Sequence, residues 1–192
     1  MNVETADKEA MHLIKQSHRP KAEDIHAEIV LRRPTAEDGE AVNALIGSSG
    51  ALDENSLYCN LLQCTHFADT CRLAERDGEV VGWVSGYLPP AEPDTLFIWQ
   101  VAVSASARGK GLAKRLVTDL LRDAPCRHVR RIKTTITPDN AASWALFHSV
   151  AEGFGAPLTH RAWFERDAHF GGQHDTEHLV AIGPFGSAAR TA

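Results

Sequence analysis

Several things are scarce in this 192-residue sequence, and each scarcity removes a class of explanation. No window reaches the roughly 18 to 20 consecutive apolar residues that a bilayer span needs, so no membrane association is expected. Cysteine is rare: the four present, Cys59, Cys64, Cys71 and Cys126, match no zinc-ligand spacing and are expected as free buried thiols. Positive charge is also in deficit. A formal net charge of −5 argues against a basic face for nucleic acid and mildly suits a cationic small molecule. The first residues, "MNVETADKEAMHLIKQSHRPKAEDIHAE", contain no apolar run behind a basic start, so no secretion signal is read there and the cytoplasm is the expected compartment. Internal repeats and low-complexity segments are absent.

What is present is ordinary globular composition, 43% hydrophobic and 23% charged, in a length that suits one domain with a full core. Residues 1–26 are polar and read as a mobile extension, 27–183 as the folded domain, and 184–192 as a flexible tail. "EIVLRRPT" predicts a strand ended by Pro34, with Thr35 as a helix N-cap and Asp38 three residues on. A second helix is expected around Ser56 to Cys64, after the loop "GSSGALDENS". "TCRLAER" and "EVVGWVSGYL" flank Asp77-Gly78, a dipeptide that favours tight hairpins. "TLFIWQVAV" is apolar on both faces, which predicts a central strand. Leu112, Ala113, Leu116, Val117, Leu120 and Leu121 form one apolar helical face, and Pro125 ends that helix. "RRIKTTIT" alternates as a strand, Pro138-Asp139-Asn140 opens another helix, and the remainder reads as two strands around a Gly-Gly, His-rich connection. The order predicts an α/β domain with a mixed sheet.

One stretch carries chemistry on its face. "WQVAVSASARGKGLAKRL" runs from a strand through Arg108-Gly109-Lys110-Gly111 into a helix. Helix-start N–H groups are unpaired and sit at the positive end of the dipole, and glycine lets an anion approach the backbone. The spacing fits neither a P-loop nor a dinucleotide fingerprint, and a plain strand-to-helix turn would look the same in isolation.

Taken with the helix and the Asn140-led helix that follow, the stretch resembles the GNAT-type acetyl-CoA-dependent N-acetyltransferases, with Arg108-x-x-Gly111-x-Ala113 matching their Arg/Gln-x-x-Gly-x-Gly/Ala pattern. The resemblance implies the GNAT fold, a central mixed, mostly antiparallel sheet flanked by helices. It implies acetyl-CoA as co-substrate, with its pyrophosphate on the amides of Gly109, Lys110, Gly111, Leu112 and Ala113. It further implies that the backbone from Gln100 through Val101 and Ala102 to Val103, at a bulge, pairs with the pantetheine arm, and that Asn140 contacts CoA. Where many members carry a proton-donating Tyr, this sequence has Phe147.

Two longer strings, "ALDENSLYCNLLQCTHFADTC" and "FGGQHDTEHL", resemble the L-2,4-diaminobutyrate acetyltransferases of ectoine biosynthesis, and the likeness runs from about Ile29 to Ile182. That resemblance implies acetylation of the 4-amino group of a diamino acid, a homodimer, and an acceptor site formed by Asp53, Tyr58, Trp99, His174 and Glu177. Each has a plainer role available: Asp53 as a helix cap, Tyr58 as core, Trp99 as an ordinary strand aromatic. His174 and His178 would stand about 13 Å apart on a strand, so no metal is expected.

Acetyl transfer to an amine needs the neutral base, which for an alkylammonium of pKa near 10.4 lies roughly 4 to 5 kcal/mol uphill at pH 7. Glu177 is the first candidate to take that proton and His174 the second, with Asp53 anchoring an ammonium. Attack is expected directly in a ternary complex. A GNAT enzyme for another amine, or a non-catalytic acetyl-CoA sensor, remains as an alternative.

Overall fold

The computed structural model describes residues 28–50 and 55–186. The extension read over 1–26, Asp53, and the last six residues of the tail lie outside the described residues. The described elements run β1 (Val30–Arg32), α1 (Gly39–Ser49), α2 (Leu57–Thr65), β2 (Arg72–Arg76), β3 (Glu79–Tyr87), β4 (Thr95–Val103), α3 (Leu112–Arg122), β5 (Arg131–Ile136), α4 (Ala141–Gly153), β6 (Leu158–Phe164), α5 (Arg166–Phe170) and β7 (Glu177–Ile182). The strands form one sheet in the order β1-β2-β3-β4-β5-β7-β6. Among the described strands only β4 and β5 pair in parallel; the other pairs are antiparallel. No helix among the described residues is long and apolar enough to cross a membrane.

Local chemistry explains most boundaries. Asp38 accepts from the Thr35 amide at 2.7 Å, closing the capping box of the short 3₁₀ turn Ala36–Asp38 that leads into α1. The Ser56 hydroxyl accepts from the Cys59 amide at 3.2 Å and starts α2. Asp77 and Gly78 take φ of 55° and 81°, the left-handed pair that a two-residue hairpin needs. α3 stops at Arg122 rather than running to Pro125, because Asp123 turns extended and its side chain accepts from the Ala124 amide at 2.9 Å.

The core lies on both faces of the sheet. Leu112, Leu116, Val117, Leu120 and Leu121 of α3 join Phe147 and Val150 of α4 over one face, all 2% exposed or less. Full burial of each such side chain contributes about 1.5–3 kcal/mol. Val42, Leu45 and Ile46 of α1 cover the other face with Leu73 and Trp83. The stretch read as a tail begins inside this packing: Phe185 is 3% exposed and stacks on Phe154 at 4.8 Å between ring centroids.

At its C-terminal end α3 is pinned by charge. Asp123 accepts from Arg33 at 2.9 Å and from Arg72 at 2.6 Å, and Arg72 also meets Asp119 at 2.8 Å. The Arg33 hydrogen bond, opposed by partial burial and reinforced by Arg72, holds the Asp123 carboxyl well below the usual carboxylate range.

Two features of the sheet open the space used below. Pairing of β4 with β5 stops at Phe97 and Lys133, so the rest of the two strands diverges. On the other side of β4 the register slips: Gln100 faces Ser85 and Ile98 faces Gly86, which leaves Trp99 as the extra residue of a bulge. The bulge switches side-chain parity. Leu96 and Ile98 point to the α3–α4 layer before it, and Val101 and Val103 do so after it, while Ala102 turns to the α1 layer. A side chain at Gly86 would meet the Phe97 carbonyl oxygen at 2.6 Å, so only glycine lets the strands approach here.

Candidate active site

The splay between β4 and β5 holds two adjoining cavities. The first, of about 570 Å³, lies between the end of β4, the loop into α3, and α4. Its floor is backbone. The Ser104 amide donates to the Val81 carbonyl at 3.0 Å, and by the alternation of an antiparallel ladder the polar groups of Val101 and Val103 then point away from β3, toward the cavity. Arg108 Nε donates to the Val103 carbonyl at 3.0 Å and braces the loop. Gly109 and Gly111 have φ of 75° and 71°, a conformation that costs an L-residue roughly 1–2 kcal/mol. Gly111 is the N-cap of α3, and the first helical bond runs from the Arg115 amide to its carbonyl at 3.0 Å. The amides of Leu112 and Ala113 therefore stand at the open, positive end of an 11-residue helix.

Of the expected cofactor residues, Val101, Ala102, Val103, Arg108, Gly109, Gly111, Leu112, Ala113 and Asn140 all line this cavity. Lys110 is exposed and does not. Lys114, which was not among the expected residues, lines it instead, with Nζ 3.1 Å from Ser149 Oγ. Its position in the first turn of the helix was the available signal. Asn140 caps α4, its Oδ1 accepting from the Ser143 amide at 3.0 Å.

The second cavity, about 790 Å³, is polar and lies across Val101 from the first. Trp99, His174 and Glu177 come together in its wall. The bulge turns Trp99 outward, 48% exposed. His174 Nδ1 lies 2.7 Å from the Asp175 carbonyl, which can only accept, so this nitrogen carries a proton, and in the neutral ring Nε2 then holds the lone pair. Nε2 faces Glu177 Oε1 at 3.9 Å, and Phe170 packs against the imidazole at 4.6 Å between centroids. The Glu177 side chain is 17% exposed.

Tyr58 is not brought to this place. It sits in the first turn of α2, 70% exposed, and is absent from the walls of both cavities. Phe147 is 2% exposed and lines the second cavity without a proton to offer. Asn55, which the sequence did not single out, and Gln100, expected beside the pantetheine arm, also line it, and Asn55 Nδ2 donates to Gln100 Oε1 at 2.7 Å. Asn43 in turn donates to the Asn55 carbonyl at 3.0 Å and to Asn60 at 2.8 Å. Thr134 and Thr135 of the diverging β5 and Asp139 complete the polar lining. No group of His, Cys, Asp and Glu among the described residues is arranged to hold a metal ion.

The four cysteines are free, and burial pushes the Cys64 thiol up to about 11 and Cys71 to about 12. Neither is poised as a nucleophile at neutral pH.

Comparison with known proteins points the same way. Residues 40–151 match the acetyltransferase (GNAT) family. An L-2,4-diaminobutyric acid acetyltransferase of Methylotuvimicrobium alcaliphilum is 49% identical over 157 residues, 82% of this chain and 91% of that one. The enzyme of the same name from Halomonas elongata is 48% identical over 158 residues, 82% of each chain. Among solved structures, the diaminobutyrate acetyltransferase EctA of Paenibacillus lautus, in complex with its substrate L-2,4-diaminobutyric acid and coenzyme A, superimposes with a TM-score of 0.80 at 43% identity. That superposition covers 83% of this chain and 97% of the other.

Proposed function

Since the chain belongs to the GNAT acetyltransferase family and, within it, to the L-2,4-diaminobutyric acid acetyltransferases, we propose that it transfers acetyl from acetyl-CoA to the 4-amino group of L-2,4-diaminobutyrate. This is the step that supplies N4-acetyl-L-2,4-diaminobutyrate to ectoine biosynthesis. The observation that carries the reading is the junction of the two cavities: Val101, Asn140, Ala142 and Ser143 line both, so a thioester delivered from one side meets an amine held on the other.

The cofactor cavity suits CoA. Its helix-start amides, Arg108 and Lys114 offer charge and hydrogen bonds to a pyrophosphate, and the outward-facing groups of Val101 and Val103 offer an extended pantetheine arm a strand to pair with. The acceptor cavity suits a diamine. Glu177 and Asp139 supply negative charge and Trp99 a π-face for an ammonium. Asp53 serves as a further ammonium anchor.

In the reaction Glu177 takes the proton that frees the attacking nitrogen, with His174 beside it as second base. The neutral amine adds to the thioester carbonyl while the amides of Val101 and Val103 draw charge onto its oxygen. Collapse expels the thiolate. No acyl-enzyme forms, in keeping with the raised thiols of Cys64 and Cys71.

The chain works as a cytoplasmic homodimer. β6 supports the second copy: it is the open edge of the sheet and exposes Trp163, with Arg161 stacked on it at 4.2 Å, and Phe164. Free thiols and a need for acetyl-CoA support the compartment.

Release of CoASH should be followed with L-2,4-diaminobutyrate against a panel of polyamines, aminoglycosides and peptide N-termini. Diaminobutyrate should give the highest kcat/KM. Turnover of another amine with none of diaminobutyrate would overturn the reading.

A further inference from the structure

Breaking a thioester leaves negative charge on sulfur, and that charge must be met where the two cavities join. Of the four residues lining both, Val101 and Ala142 have apolar side chains. Asn140 commits its Oδ1 to the cap of α4. Ser143 brings the one hydroxyl of the junction, and among the described residues no protein group takes it up: the cap uses the Ser143 amide, not its side chain. Phe147, one turn further along α4, is apolar. Thr134, Thr135 and Thr137 line only the acceptor side, and Ser49 and Ser149 only the cofactor side.

We infer that Ser143 is a catalytic residue, its Oγ–H donating a hydrogen bond to the sulfur of CoA as the thiolate departs. The inference rests on the acetyltransferase reading above. As the C–S bond breaks its electron pair goes to sulfur, the nitrogen's second proton goes to water because Glu177 already holds the first, and the Ser143 proton stays on its own oxygen. The thiolate takes a proton from water after release. Ser143 stands in the first turn of a 13-residue helix, so the positive end of the α4 dipole acts on the same sulfur. A hydrogen bond to an anion is stronger than one to a neutral group, which makes this contact worth more in the transition state than in the bound thioester.

The test compares the wild type with Ser143→Ala and Ser143→Thr. Alanine keeps the amide that caps α4 and favours the helix, so the variant should fold. The thiol of bound CoA is titrated through its ultraviolet absorbance, and kcat and KM are measured with diaminobutyrate. Ser143→Ala should raise the apparent pKa of the bound thiol by about one unit and lower kcat on the order of tenfold. Its KM for acetyl-CoA and its affinity for desulfo-CoA should stay as in the wild type, and Ser143→Thr should restore both changes. An unchanged thiol pKa in Ser143→Ala would overturn the assignment, whatever happens to kcat. Because that titration contains no acceptor, it stands apart from the identity of the amine: failure of diaminobutyrate as a substrate would count against the proposed function alone.

Discussion

The cofactor cavity takes most of its polarity from the main chain, through the Val101 to Val103 edge and the open amides of α3, all within one stretch from Val101 to Lys114 with α4 alongside. The acceptor cavity is polar through side chains. Asn55, Trp99, Gln100, Thr134, His174 and Glu177 reach it from α2's entrance, the β4 bulge, β5 and the approach to β7. Backbone suffices for a ligand whose phosphates and extended arm ask for repeated N–H and C=O groups. Discriminating one small amine from another asks for individual functional groups, and those can come from anywhere in the chain. The two cavities should therefore answer differently to mutation.

The largest effect is expected on the acceptor side. Glu177→Gln should lower kcat by about 10²–10⁴-fold, the usual contribution of a positioned base, while calorimetry finds CoA binding unchanged. If turnover stays near normal and His174→Asn loses it, the base is His174. Next comes the cofactor loop. A Cβ at Gly111 meets no protein atom within 4 Å outside its chain neighbours, so Gly111→Ala strains the φ of 71° without a clash. It should raise the KM for acetyl-CoA on the order of tenfold, with kcat little changed. A matching rise in the KM for the amine would blur the separation of the two cavities. Trp99→Ala should do the reverse, weakening only the amine by the roughly 0.5–2 kcal/mol of a cation–π contact, seen in acceptor KM.

The smallest effect on turnover is expected far from both. Asp123 has a folded-state pKa below its unfolded one, so its contribution to stability is complete above the ordinary carboxylate pKa and is lost as pH falls through the folded value. Asp123→Asn should lower the melting temperature at pH 7, where the nearly buried Arg72 loses a partner, and should flatten the decline in stability on acidification. Its kcat/KM at neutral pH should match the wild type. A change in either KM would mean that the α3 C-terminus communicates with the cofactor loop.

The same contrast explains what the sequence made legible. Thr95–Val103 and Leu112–Arg122 are long, strongly patterned segments, and both elements form where the pattern places them. The loop between them could be read because its glycines and the helix that follows are contiguous. α5 was not foreseen: five residues, Arg166–Phe170, are too few for a helical period to show against the Gly-Gly that follows. The Trp99 bulge has no local signature either, since it depends on how β3 pairs across the sheet. Resemblance supplied Trp99, His174 and Glu177, which the fold brings together, and Tyr58, which it leaves in solvent. Neither resemblance nor spacing pointed to Asn55, because its hydrogen bond to a residue 45 positions away exists only once the entrance to α2 is folded against β4.

A single experiment bears on the joining of the two cavities and on what each holds. The protein is incubated with acetyl-CoA labelled with ¹³C in the acetyl group and with L-2,4-diaminobutyrate, and the position of the label is read by NMR. Acetylation of the 4-amino group, as proposed, gives one product, with the label on N4 and the α-amine untouched. Label on the α-amine, or label held on the protein and none on the amino acid, would contradict it.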